Sequence, residues 1–179
     1  MQELAAAHTA QKKISDQGNL LRNNDILRSI RYTFDFSDAK MTAIFGSVDP
    51  QVTRGQIIDW LKKEDEPTFQ NCSDRHLAAF LNGLIIEKRG KQEGPPPEPE
   101  QRLTNNLILK KLKIALDLKG EDILAIMALA RFHISEHEVS ALFRRPDNKH
   151  YRLCKDQILR NFLKGVQRKY RPNAPVAEA

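Results

Sequence analysis

A chain of 179 residues with 40% apolar, 29% charged and 7% aromatic side chains has room for one ordinary domain or two small ones, and is too apolar to stay disordered. No apolar run approaches the ~20 residues that a bilayer crossing needs. Two cysteines 82 positions apart make neither a disulfide scaffold nor a zinc finger, which points to reduced thiols in a cytoplasm. The net charge of +6 is lopsided: residues 23–89 carry 9 basic and 10 acidic groups, residues 105–171 carry 15 and 7. A one-sided positive field suits an anionic partner such as nucleic acid, with a solvated basic face as the plainer explanation.

Residues 1–22 hold no lasting apolar stripe and read as a flexible N-terminal extension. Their start, Leu4-Ala-Ala-Ala7, is too short for the core of a secretory signal. From residue 23 the spacing becomes helical. Ile26, Leu27, Ile30 and Phe34 fall on one stripe of a 3.6-residue period behind Asn24, which reads as an N-cap. A short helix over about Asp38–Gly46 follows. A third helix opens at Thr53-x-x-Gln56, which has capping-box spacing, and a fourth runs from about Ser73 to Arg89 with Leu77, Phe80, Leu81 and Leu84 inward. Residues 90–104 contain Gly94-Pro-Pro-Pro-Glu-Pro-Glu100. Proline fixes φ and lacks an amide, so this linker is expected to be an extended, stiff spacer.

The chain then repeats itself. Residues 105–171, written beneath 23–89 at a constant shift of 82 without a gap, match at 15 of 67 positions. The identities include Asn23/Asn105, Asn24/Asn106, Asp35/Asp117, Ile44/Ile126, Cys72/Cys154, Asp74/Asp156, Gly83/Gly165 and Arg89/Arg171, and many other pairs keep apolar character. The second copy accordingly predicts a helix capped at Asn106, one over Gly120–Leu129, one opening at Ser135-x-x-Glu138 and one over Lys155–Arg171. Residues 172–179 read as a flexible tail. No stretch shows the period-2 alternation of a half-buried strand. The expected fold is all-α, two homologous four-helix repeats. A 67-residue unit buries only ~60% of its unfolded surface, so the two should share a core about a pseudo-twofold axis.

Asn23-Asn-Asp-Ile-Leu-Arg-Ser-Ile-Arg31, Trp60-Leu-Lys-Lys-Glu-Asp-Glu66, Phe80-Leu-Asn-Gly-Leu84, Lys88-Arg-Gly90 and Asn105-Asn-x-Ile-Leu-Lys-Lys-Leu112, with the Pro-rich linker between, resemble the YehS-like family over about residues 22–171. These are small bacterial proteins with a duplicated domain of unknown function. The resemblance implies a bacterial, cytoplasmic protein, and brings no activity, cofactor or ligand with it.

Chemistry-bearing patterns are few. His133-Ile-Ser-Glu-His137 spells a zinc-hydrolase motif, but Ser135 reads as the cap of a helix that leaves His133 outside it, so helix entry is preferred. Cys72 and Cys154 could be a thiol pair, and read better as small buried hydrophobes. The repeated Asp35/Asp117, Asp65/Asp147 and Asp74/Asp156 read as caps and turns rather than acid–base pairs. Gly83/Gly165 inside helix four suggests close helix contact, and Trp60 belongs to a core stripe. A helix-turn-helix is disfavoured by a long connection and by Glu136 and Glu138 at the head of the would-be reading helix. No catalytic residue, metal or cofactor is expected. Hence the expected activity is binding without catalysis: nucleic acid (RNA or DNA) or another polyanion, held by Lys110, Lys111, Lys113, Arg144, Arg145, Arg152, Arg160, Lys164, Arg168 and Arg171. The alternative is a protein–protein adaptor that uses the groove between the repeats.

Overall fold

The computed structural model describes residues 20–175. The expectations of flexibility for residues 1–19 and 176–179 lie outside the described residues. Eight helices and no strand occur among those described: α1 (Asn23–Phe34), α2 (Asp38–Gly46), α3 (Arg54–Leu61) and α4 (Asp74–Arg89) form the first unit, and α5 (Asn105–Ala115), α6 (Gly120–Leu129), α7 (Glu136–Leu142) and α8 (Asp156–Tyr170) the second. The fold is all-α and duplicated.

Local chemistry sets the helix ends. Thr53 and Gln56 satisfy each other's amides at the start of α3, and Ser135 and Glu138 do so at the start of α7. Ser37, Ser73 and Thr104 accept from the third amide of α2, α4 and α5. Asn24 and Asn106 are not caps. They lie one residue inside the helix, buried, and each Nδ2 donates to two carbonyls at 2.8 Å: Trp60 and Gln70 for Asn24, Leu142 and Arg152 for Asn106. Each Oδ1 accepts from a cysteine amide, Cys72 at 3.1 Å and Cys154 at 2.9 Å. One asparagine thus sutures α1, or α5, to the chain on both sides of the long loop of its unit. Asp35 and Asp117 end α1 and α5 in the left-handed region (φ 52° and 53°), which a short polar side chain tolerates better than a branched one.

Inside each unit the long fourth helix lies against the second at a glycine. A Cβ on Gly83 would stand 2.1 Å from the Ile44 carbonyl oxygen, and one on Gly165 would stand 2.0 Å from that of Ile126. Phe45, Phe80 and Trp60 fill the first unit, and Phe162, Ile126 and Met127 the second.

Between units the pairing is reciprocal: α1 packs on α8 and α4 packs on α5. The buried residues form one continuous cluster through both units. Polar contacts follow the same pseudo-twofold relation. Asp74 accepts the Leu103 amide at 2.9 Å and Asp156 the Leu21 amide at 3.0 Å; Arg89 pairs with Asp117 at 2.9 Å and Arg171 with Asp35 at 3.6 Å.

The linker is not a free spacer. Pro99 is buried, Asn82 Nδ2 donates to the Pro97 carbonyl at 3.3 Å, and Lys111 Nζ reaches Glu100 Oε1 at 2.8 Å. It is a strap fastened over the α4–α5 seam.

Candidate functional site

The ten basic residues singled out from the sequence do not share one surface. Lys111 is withdrawn from the set: its side chain is only 9% exposed, and its ammonium donates to Asn82 Oδ1 at 2.6 Å besides pairing with Glu100. Helix α5 meets α4 on the side that carries Lys111, and the strap covers what is left, so no ligand reaches this charge. Arg171 donates to the Tyr32 carbonyl at 2.5 Å and lies 4.3 Å from the Tyr32 ring centroid. Arg168 donates to the Leu129 carbonyl, and Arg152 pairs with Glu138. Three donors (the Ser135 amide first, then the Arg152 guanidinium and the Ser135 hydroxyl) hold the Glu138 carboxyl down at about 2. These arginines fasten the fold. Arg160 is half-buried on α8, and Lys164 is exposed on the same helix. Lys164 stands at the position that Asn82 holds in the first unit, hence on the α1–α8 side of the molecule.

Lys110, Lys113, Arg144 and Arg145 are left. Lys110 and Lys113 line a shallow cleft of about 400 Å³ between the units, together with Arg89 from the end of α4 and Asp117, Ile114 and Phe143. Lys113 Nζ sits 4.5 Å from the Phe143 ring centroid, and Ile114 is 44% exposed. Arg144 and Arg145 follow Phe143 directly, and both are exposed. Lys110, Arg144 and Arg145 make no ion pair among the described residues.

The duplication supplies an internal control for this cluster, a signal that was available in the sequence and missed there. At a shift of 82, Lys110, Lys113, Arg144 and Arg145 correspond to Arg28, Arg31, Lys62 and Lys63. In the first unit three of these charges are answered: Arg28 pairs with Asp25, Arg31 with Asp38 at 2.7 Å and Lys62 with Asp59 at 2.8 Å, while Glu66 accepts the backbone amide of Lys63. Glu64 pairs with Arg22 at 2.6 Å. In the second unit Asp25, Asp38, Asp59, Glu64 and Glu66 are replaced by Leu107, Gly120, Ala141, Pro146 and Asn148, while Asp35 and Asp65 keep their counterparts, Asp117 and Asp147, the former paired with Arg89. The cations stay, and the acids that pair with three of them in the first unit are gone.

Elsewhere the arrangement holds less. His133 lies before α7 and His137 within it, both exposed, and no group of three His, Cys, Asp or Glu side chains among the described residues is placed to hold a metal ion. Cys72 and Cys154 are free and buried, each in its own unit, and burial, with Asp74 and Asp156 nearby, pushes both thiols up to about 12. A second cleft, of about 480 Å³, is lined by Asp49, Gln51, Gln56, Arg75 and His76. There Arg75 pairs with Asp49 at 2.8 Å and holds its carboxyl below the usual range, so the charges answer each other. No helix of the described residues is long and apolar enough to cross a membrane.

Fold and surface together define a class: an all-helical protein of two intergrown four-helix units, whose second unit carries an uncompensated basic face. Residues 23–90 and 105–171 each match the family model described as "Protein of unknown function (DUF1456)", and the chain belongs to that family. It is 50% identical over 145 residues to the Uncharacterized protein YehS of Escherichia coli strain K12, which covers 80% of this chain and 93% of that protein. No solved structure matches.

Proposed function

We propose that the protein is a bacterial, cytoplasmic, non-enzymatic binder of nucleic acid, acting through Lys110, Lys113, Arg144 and Arg145 of the second unit. One observation carries this reading. Between the two units four basic positions stay basic while five neighbouring acids give way to uncharged residues, which leaves this face more positive in the second unit than in the first. Solubility alone would be served by charge of either sign spread anywhere. Removal of acids around retained cations instead builds a local positive potential, the feature that phosphate contacts require. The cytoplasmic assignment draws support from two unpaired thiols, and the bacterial one from the Escherichia coli relative.

The adaptor reading has less support, because the part of the groove between the units that stays open is the cleft lined by Arg89, Lys110 and Lys113, whose charge suits phosphate better than an apolar anchor.

The test is elution from heparin and gel shift on RNA and DNA at rising salt. Each phosphate contact should add about 0.7–0.9 to the slope of log K against log salt. Lys110, Lys113, Arg144 and Arg145 changed together to Glu should abolish retention, whereas Lys164→Glu with Lys169→Glu, on α8, should alter it little. Elution of the fourfold variant at the wild-type salt concentration would refute the reading.

A further inference from the structure

Resting on that reading, we infer that the ligand is single-stranded nucleic acid, with one base stacked on Phe143 in the cleft between the units and the flanking phosphates on Lys110, Lys113 and Arg144. A face that bound only phosphates would need cations alone. This one has an aromatic ring and an exposed isoleucine set among them: Phe143 and Ile114 share the cleft with Lys110, Lys113 and the Arg89–Asp117 ion pair, in which Arg89 answers the one acid of the lining. The ring is particular to the second unit, since its counterpart in the first is Leu61. Thus the position that lost its acidic neighbours is also the one that gained a π-face. The ring face is covered by the Lys113 ammonium at 4.5 Å, a flexible side chain that can pass to a phosphate and leave the ring to a base.

Size and shape select the strand. A cleft of about 400 Å³ lies at the small end of the ~300–1,000 Å³ range of ligand pockets, which suits one base and its sugar. A duplex keeps its bases stacked inside and would present only backbone here. Nor can a helix of this face enter a major groove. Helix α5 is packed against both α4 and α8, and α7 opens with Glu136 and Glu138, which repel phosphate.

The pseudo-twofold mate of the cleft shows what a closed version looks like. There Arg171 donates to the Tyr32 carbonyl and lies over its ring, and the Tyr32 hydroxyl donates to the Pro175 carbonyl at 2.9 Å, so the segment that follows α8 lies against the place. At Phe143 the strap instead leaves Arg89 toward the α4–α5 seam, and the cleft stays open.

Fluorescence anisotropy on the full chain tests the inference, with labelled 12-nucleotide uridine and thymidine strands, a duplex of equal length, an abasic strand and heparin. Both single strands should bind more tightly than the duplex and the abasic strand at the same salt. Phe143→Leu, which installs the first unit's residue and keeps the apolar packing, should weaken single-strand binding about tenfold, as loss of one stacking contact does, with heparin elution unchanged. Equal binding of duplex and single strand, or an unchanged affinity in Phe143→Leu, with heparin still retained, would overturn the single-strand inference alone. Loss of heparin and nucleic-acid binding by the wild type would overturn the underlying reading as well.

Discussion

Asp156 Oδ2 accepts the backbone amide of Leu21 at 3.0 Å, while its other oxygen accepts from Asn105 Nδ2 at 2.7 Å. One carboxylate therefore ties the head of α8 to the head of α5 in its own unit and to the approach to α1 in the other. Asp74 repeats the pattern with Leu103 and Asn23, at 2.9 and 2.8 Å. Hydrogen bonds to a charged acceptor contribute about 1.5–3 kcal/mol each where water is excluded, and these sites are only part-buried. Asp156→Ala is accordingly expected to cost about 2 kcal/mol in urea unfolding, and Asp74→Ala a similar amount. Because both links cross between units, unfolding should remain a single transition in the wild type. Two separated transitions would contradict the shared core.

Gly83 and Gly165 make the opposite kind of statement, about space. In an open helix Gly→Ala would gain about 1 kcal/mol from helix propensity. Here the added methyl meets a carbonyl oxygen at about 2 Å, and that oxygen belongs to the backbone of α2 or α6, which cannot rotate away. The helices must part, at a typical overpacking cost of 1–3 kcal/mol or more. Gly83→Ala and Gly165→Ala should each lower the melting temperature. A rise in either variant would mean that the helices are not in contact at that glycine.

Much of this architecture was readable because duplication writes structural need twice. Asn23/Asn105 with Asp74/Asp156, Arg89/Arg171 with Asp35/Asp117, and Gly83/Gly165 with Ile44/Ile126 are each a contact whose two ends were both among the identities. Helix ends came from capping chemistry, which is local. What escaped was long-range. Asn24 and Asn106 look like caps because an asparagine beside a helix start has the same letters whether it turns to its own amides or inward to a loop some forty residues away. Lys111 sits among lysines, and only the strap, folded back from the preceding segment, decides that it is buried. Nothing in the structure explains the identity of Asp65 and Asp147.

The two thiols provide a pH test with a definite sign. Both are pushed up to about 12 in the fold, against about 8.5 in an unfolded chain. Between those values the unfolded chain has lost thiol protons that the folded one keeps, so the unfolded state gains ground as pH rises. The thiol contribution is complete below about pH 8 and drains away from about pH 9 toward 12. Cys72→Ala with Cys154→Ala should flatten the alkaline fall in stability relative to wild type. A thiol-reactive dye at about pH 8 should label the wild type only as fast as the protein opens. Rapid labelling of the native protein would show that the thiols are not enclosed.

The strap offers the remaining test, and its two ends are unequal. Lys111 is 9% exposed and Glu100 36%, so the lysine is the more deeply committed partner. Glu100→Ala leaves a buried ammonium with Asn82 as its remaining acceptor, whereas Lys111→Met removes the buried charge itself and leaves unpaired the Asn82 Oδ1 and a carboxylate that is 36% exposed, although its Oε2 is buried. Breaking a fully buried pair costs about 3–5 kcal/mol, and the partial exposure of Glu100 reduces that, so Glu100→Ala should cost about 1–2 kcal/mol and Lys111→Met less. Release of the strap should show independently as faster nicking by proteinase K within residues 91–100 of Glu100→Ala, with the helical signal by circular dichroism unchanged. Equal stability and equal protection in Glu100→Ala and wild type would mean that Pro99 burial and the Asn82–Pro97 contact hold the strap without the ion pair.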